Sequence, residues 1–235
     1  MIPAMRRLLR ILSLSMITAG IVILADAAIT LAWQEPISAL YGSVKQGQAA
    51  SQFEDAQRDF LDDPAVVDLP PLESVDKRAK QLAGVFAETL ENGDPFGRIE
   101  IPAIGADYIV IEGTDEGDLQ RGPGHYPTTA LPGQGKTIGI AGHRTTYGAP
   151  FNQIDKIDIG DEITLEMPYA TFTYKVTKTD IVDPSDVGIV DDVGHERLVL
   201  TACHPLYSAA QRYAVFADLD RITLFPGGEG DFPPP

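Results

Sequence analysis

Short runs of strand-forming residues, separated by Gly, Pro and Asp, fill residues 96–225. Such runs alternate in polarity or are rich in Ile, Val, Thr and Tyr, as half-buried strands do. We expect the last run to break into two strands near Asp218. Seven or eight short strands within 130 residues predict a mostly β domain, a single closed barrel or sandwich with few helices. The runs are 98–102, 108–112, 137–141, 162–167, 171–179, 197–202 and 212–224.

A long apolar segment precedes this domain. Residues 1–33 carry three arginines and one aspartate, a net charge of +2, and residues 8–33 give 26 largely apolar positions. That length spans a hydrocarbon layer about 30 Å thick. Because the arginines come first, we expect a single-pass transmembrane signal-anchor with a cytoplasmic tip and an extracytoplasmic remainder. The alternative is a signal peptide cleaved at Ala25-Asp26-Ala27, but the apolar stretch continues past that site.

The segment between anchor and β domain is acidic. Residues 34–95 have a net charge of −7, and helices are predicted over 44–61 and 74–90, the second capped by Ser74. We interpret 34–95 as a helical stalk that spaces the domain from the membrane, with a second helix apolar enough on one face to dock. The Gly- and Pro-rich tail, 226–235, is predicted to be disordered. The predicted units are therefore 1–33, 34–95, 96–225 and 226–235.

Charge and cysteine count exclude several functions. A formal charge of −16 argues against binding nucleic acid or anionic lipid. Cys203 is the only cysteine, which excludes an internal disulfide, a thiolate zinc site and an iron–sulfur cluster. The thiol is then either a small buried residue or a nucleophile.

The position of Cys203 favours a nucleophile. It closes the run 197–202, and Pro205 prevents the strand from continuing, so we expect Cys203 to be the last paired residue, at a rim. A reactive thiolate needs an imidazole partner and a group that holds the oxyanion. Arg212 begins the next strand, and an antiparallel return would bring its guanidinium near the thiol.

Four histidines are possible partners. His143 ends a Gly-rich strand, and we favour it; His125 lies in a Gly- and Pro-rich loop and remains open. His195 lies in a charged turn typical of solvated surface. His204 adjoins the cysteine but should point to the opposite face, so replacing it with alanine should leave most activity.

The chemistry-bearing residues lie in three motifs, Gly122-Pro-Gly-His-Tyr126, Ala141-Gly-His-Arg144 and Cys203-His-Pro205. Together with Arg212, they resemble the His, Cys, Arg triad of the sortases, the cysteine transpeptidases of Gram-positive surfaces. The segment 143–148 with Cys203-His-Pro205 is most similar to the class E group of actinobacteria. Val199-Leu-Thr-Ala-Cys203 departs from the family's usual Thr-Leu-x-Thr-Cys.

The resemblance implies a single eight-stranded sortase-type β-barrel with short helices, behind a transmembrane helix and stalk, and no cofactor or metal. It implies that Cys203 attacks a C-terminal Leu-Pro-x-Thr-Gly-like signal, in class E Leu-Ala-x-Thr-Gly, between Thr and Gly. His143 would act as general acid and base and Arg212 would steady the oxyanion. The partners would be surface-protein precursors and an amine of a lipid-linked peptidoglycan precursor.

Further substrate contacts are expected at Thr201, which shares the face of Cys203, at Tyr147, and at His125. Alternative functions are a pilin-polymerising sortase, a cysteine peptidoglycan peptidase, whose local signature is missing, and a non-catalytic anchored β-domain. The aspartates at 183, 186, 191 and 192 lack the spacing of a calcium loop, so we expect no calcium site.

Overall fold

A computed structural model describes residues 2–33, 36–70 and 74–225 of the chain. The predicted disordered tail, 226–235, lies outside the described residues. Within them are five α-helices and eight strands. The helices are α1 (Ile2–Trp33), α2 (Pro36–Asp62), α3 (Pro64–Val67), α4 (Val75–Thr89) and α5 (Glu116–Leu119).

The eight strands close into one barrel in the order β1-β2-β3-β4-β7-β8-β6-β5. The pairs β2/β3 and β4/β7 are parallel and the other pairs are antiparallel. The predicted closed eight-stranded barrel is confirmed. The strands are β1 (Pro95–Ile101), β2 (Ala106–Glu112), β3 (Gly124–His125), β4 (Thr137–Gly142), β5 (Glu162–Glu166), β6 (Ala170–Val182), β7 (Arg197–His204) and β8 (Gln211–Leu224).

Each of the seven predicted runs overlaps a strand, but two details differ. The predicted break near Asp218 is wrong, because β8 continues through it and absorbs the irregularity as a register shift against β6. Strand β3 was not predicted, since two residues are too few to show alternation.

The barrel interior fixes which face of each strand points inward. In β7, Leu198, Leu200 and Ala202 belong to the main core, whereas Val199 packs outside against Ala214 and Phe216. This period of two is that of a strand with one face in the core. Consequently the residues after Ala202 have a defined orientation.

Two helices of the 34–95 segment pack on the barrel. Docking of α4 agrees with the expectation for the second helix, whereas packing of α2 corrects its interpretation as part of a spacer. Phe60 of α2 and Phe86 of α4 are buried in the main core beside Tyr169 of the barrel. Phe53 of α2 forms a second cluster with Ile109 and Ile111 of β2. As predicted, Ser74 caps α4, its hydroxyl accepting from the amide of Lys77 at 3.4 Å.

Gln46 joins α2 to the open part of the β2 edge. Its side-chain oxygen accepts from Ile109 N at 2.7 Å, and its Nε2 donates to the carbonyls of Ile109 at 2.9 Å and Arg121 at 2.7 Å. One side chain thus satisfies backbone groups that no neighbouring strand pairs at that point. Hydrogen bonds as well as apolar contacts therefore hold α2 in one position on the barrel.

Helix α1 is long and apolar enough to cross a membrane. The stretch Met5–Ala28 has 24 residues and a mean hydropathy of 2.2, and its most apolar window is not buried against the chain. Exposed apolar residues in such a run would be costly in water. The length and composition of α1 therefore agree with the predicted anchor.

We expect Phe53→Ala to lower the free energy of unfolding by about 3 kcal/mol, because it empties a buried aromatic site between α2 and β2. Val44→Ala, on the same helix but 53% exposed, is the matched control and should change it by less than about 0.5 kcal/mol. Urea unfolding of the full chain in detergent, followed by tyrosine fluorescence, measures both. Equal stability of the two variants would show that α2 does not pack on the barrel.

Candidate active site

Three strand ends meet at one rim of the barrel. The parallel ladder between β4 and β7 ends at Gly142 opposite Ala202, so His143 and Cys203 follow on neighbouring strands. Cys203 is paired directly with Arg212 across the antiparallel ladder of β7 and β8. Adjacent strands lie about 4.8 Å apart, and residues at matched positions share a face. Cys203 and Arg212 therefore share a face, and His143 follows the end of the neighbouring strand at the same rim.

The face that Cys203 and Arg212 share is the outer one. Ala202 lies in the barrel core, so Thr201 and Cys203 point outward. The Thr201 hydroxyl lies 2.9 Å from the hydroxyl of Tyr126, and Thr201 is only 3% exposed. Thr201 thus shares the face of Cys203, with its hydroxyl held by a tyrosine that sequence reasoning missed.

Cys203 is a half-buried free thiol. The expectation that it is the last paired residue is wrong by one position, since His204 still pairs with Gln211. His204 keeps its own amide, and only Pro205, joined to it by a cis peptide bond, lacks one. The thiol therefore has a paired residue on each side and a defined direction.

His143 is half-buried, and one of its ring nitrogens makes no hydrogen bond among the described residues. Its Nε2 is buried and has no hydrogen-bond partner among the described residues. Burial lowers the pKa of His143 below its ordinary value, and the Glu116 carboxylate opposes this by raising it. Because burial penalises the charged form, the neutral imidazole is favoured, with one ring nitrogen able to accept a proton. Nothing in the sequence near Glu116 indicates that it acts on His143, because its distance from His143 depends on where α5 lies in the fold.

Arg212 is held by its own loop. Its Nη1 donates to the carbonyls of Ala209 at 3.1 Å and Gln211 at 3.0 Å. No hydrogen bond or ion pair to its Nε or Nη2 is found within the described ranges. Two edges of the fork are therefore available as donors beside Cys203.

Tyr147 lies where the start of α2 meets the His143 loop. Its ring is 5.4 Å from that of His143 and 6.1 Å from that of Tyr41, edge to face. Its amide donates to the Ser38 hydroxyl at 3.3 Å. At Gly42 any Cβ would come within 2.7 Å of the Tyr147 carbonyl, so glycine permits the close approach. The first turns of α2 thus hold the loop that follows His143.

Substrate contact at His125 was a wrong expectation. Its side chain is 1% exposed, stacks on Phe96 at 4.1 Å, and bonds through Nδ1 to Glu112 at 2.6 Å. Its Nε2 lies 3.1 Å from the carbonyl of Ala130 and from the hydroxyl of Thr129. Both ring nitrogens are occupied, so His125 is an interior structural residue.

The acidic loop before β7 contains the aspartates at 183, 186, 191 and 192, where the spacing predicts no calcium site. In residues 2–33, 36–70 and 74–225, no group of three or more His, Cys, Asp or Glu side chains is arranged to hold a metal ion. Asp183 instead accepts from the amide and hydroxyl of Ser185, at 2.9 and 2.6 Å. These contacts are those of a local turn.

A family model described as a sortase domain matches residues 99–220, more than half of the chain. The chain belongs to the sortase family. Sortase D of Bacillus subtilis strain 168 is 37% identical over 144 residues, which cover 59% of this chain and 69% of that protein. Sortase SrtE1 of Streptomyces coelicolor is 31% identical over 147 residues, covering 56% of this chain and 42% of that protein.

Solved structures agree. The sortase E of Streptomyces avermitilis superposes with a TM-score of 0.53 at 35% identity, covering 60% of this chain and 97% of that one. A Clostridium perfringens sortase D5 shares the fold, with a TM-score of 0.58 at 24% identity, covering 75% and 98%. Sortases are cysteine transpeptidases, so the enzyme class follows from the family.

Replacing Glu116 should change the titration of His143. Because the Glu116 carboxylate raises the His143 pKa, Glu116→Gln should lower it further and keep the imidazole neutral to lower pH. NMR titration of the His143 ring in the full chain in detergent measures the shift, with Glu91→Gln, another exposed glutamate, as control. An unchanged or higher pKa in Glu116→Gln would contradict the described surroundings of His143.

Proposed function

We propose that Cys203 is the nucleophile of this sortase. Its thiolate sulfur attacks the threonine carbonyl of a C-terminal sorting signal, and the tetrahedral intermediate collapses by breaking the Thr–Gly bond to leave a thioester. An amine then attacks the thioester, which forms the new amide and returns the thiolate. The observation that supports this proposal is the strand register, which pairs Cys203 with Arg212 and ends the neighbouring strand β4 one residue before His143.

His143 is proposed as the general acid and base. It takes the thiol proton, gives a proton to the leaving glycine amine, and later accepts one from the incoming amine. The unpartnered Nε2 supports this role, because among the described residues it makes no hydrogen bond that a proton transfer would have to break. The lowered pKa supports it for the base steps.

Arg212 is proposed to hold the oxyanion and orient the peptide. Arg212 is paired with Cys203, and two edges of its fork remain as donors, which supports this role because a cation near the developing oxyanion stabilises its charge. Tyr147 is proposed as a lesser contact with the signal, because its ring flanks that of His143. The expected contact at Thr201 is not proposed, because Thr201 is 3% exposed and its hydroxyl lies 2.9 Å from that of Tyr126.

We propose Leu-Ala-x-Thr-Gly as the preferred signal. The support is likeness to proteins named as class E sortases, at 31% and 35% identity. The Bacillus subtilis protein named sortase D matches at 37%, so a Leu-Pro-x-Thr-Gly peptide is the necessary comparison.

The acceptor is proposed to be an amine of a lipid-linked peptidoglycan precursor. Helix α1 is proposed to span the membrane once, with the arginines inside and the barrel outside. Ser38, which contacts the His143 loop, follows Trp33 by five residues, a reach of at most about 18 Å. The site is then held close to the membrane surface, where a lipid-linked amine is found. A pilin lysine is the alternative acceptor.

Peptide cleavage by the full chain in detergent tests these roles. Cys203→Ala should lower kcat by at least about a thousandfold, and His143→Ala by a similar factor, because each removes a reacting group. Arg212→Lys should lower kcat by about tenfold to a hundredfold, since lysine lacks the fork. His195→Leu, an exposed histidine far from the rim, is the control and should keep wild-type rates.

The same assay compares Leu-Ala-x-Thr-Gly with Leu-Pro-x-Thr-Gly peptides, and a triglycine amine with a pilin-derived lysine peptide. A higher kcat/KM for the alanine signal and transfer to triglycine are expected. Full activity of Cys203→Ala would overturn the proposed chemistry, whereas a preference for the proline signal or the lysine would overturn only the substrate or the acceptor.

A further inference from the structure

A buried guanidinium lies directly behind the proposed triad and has no part in it. Arg144 follows His143 in the chain, and its side chain is only 4% exposed. A buried cation is costly unless several partners satisfy it, so its contacts should be complete and directed.

The contacts of Arg144 form a network across the inner side of the rim. Nη2 pairs with Asp155 Oδ1 at 2.7 Å, Nε donates to the carbonyl of Asn152 at 3.1 Å, and Nη1 donates to His204 Nδ1 at 3.0 Å. Asn152 Nδ2 returns a bond to the Arg144 carbonyl at 2.8 Å. Each of the three guanidinium nitrogens of Arg144 therefore has a partner.

The bond to His204 joins the residues that follow the two reacting groups. Arg144 follows His143 and His204 follows Cys203, and within β7 the side chain of His204 points to the side opposite that of Cys203. The ladder between β4 and β7 stops at Gly142 and Ala202, so no backbone bond between these strands lies beyond that pair. The side-chain bond between Arg144 and His204 joins the two chain segments two residues beyond that last pair.

Resting on the proposed function, we propose that Arg144 and His204 form a positioning pair that sets the spacing between the His143 imidazole and the Cys203 thiol. Arginine only donates, so His204 Nδ1 accepts and the ring is the neutral tautomer with its proton on Nε2. Strand ends fray easily, and small misplacement of a nucleophile and its base costs rate rather than binding. The proposal differs from the sequence-based expectation that His204 can be replaced without much loss, and the substitutions below decide between the two.

A matched pair of substitutions distinguishes the effect of the His204 hydrogen-bond acceptor from the effect of the side-chain volume. His204→Asn places an amide oxygen at the position of Nδ1, whereas His204→Leu has nearly the same shape and no acceptor. We expect His204→Leu to lower kcat by at least about tenfold with KM within about twofold, and His204→Asn to stay within about threefold of wild type. Arg144→Lys added to His204→Leu should cause little further loss, because the two act as one unit.

The measurements are peptide cleavage kinetics and alkylation of Cys203 by iodoacetamide, on the full chain in detergent, with thermal unfolding of each variant. His204→Leu should also slow alkylation at neutral pH, while His195→Leu should change neither rate. Equal kcat for His204→Asn and His204→Leu, or a loss confined to KM, would overturn the positioning pair. An inactive wild type would instead overturn the proposed function, so the two failures are distinguishable.

Discussion

The register of β7 between β4 and β8 is the constraint on which the site depends. Leu198, Leu200 and Ala202 fill the barrel interior, so the strand cannot slip by one residue without turning its core face outward. That core packing directs Cys203 outward. Pairing with β8 then places Arg212 opposite the thiol, and the parallel pairing with β4 brings His143 alongside. The hydrophobic core thus determines the direction of the reactive groups.

The two sides of the barrel rim carry different groups of residues. The outer face carries the thiol and the guanidinium of the proposed chemistry, with His143 after the neighbouring strand end, and burial lowers the pKa of His143, which favours the neutral imidazole. The inner face carries the Arg144 network, which ties the strand ends where the backbone ladder stops. From outside, the first turns of α2 hold the loop that contains Tyr147. Each reactive residue is therefore supported by contacts that do not themselves touch the reacting bond.

The sequence predicted the barrel and the strand ends because alternation and breakers are local signals. It did not show that Phe53 and Phe60 pack on the barrel, since an apolar residue in an acidic helix does not reveal its partner. The expected substrate contact at His125 was wrong because a Gly- and Pro-rich motif does not show whether its loop lines a cleft or packs in the core. The Arg144 to His204 bond spans 60 positions, and no local pattern encodes a contact of that separation. These features depend on contacts between residues far apart in the chain, which the periodicity of a short segment does not show.

The most direct test of the account is the mass of the intact protein after mixing with a sorting peptide and no amine acceptor. If Cys203 is the nucleophile, the protein gains a covalent adduct equal to the peptide segment ending in threonine, located on Cys203 and released by an added amine. A cleaved peptide with no adduct, or an adduct on another residue, would contradict the thioester and with it the role given to the strand ends.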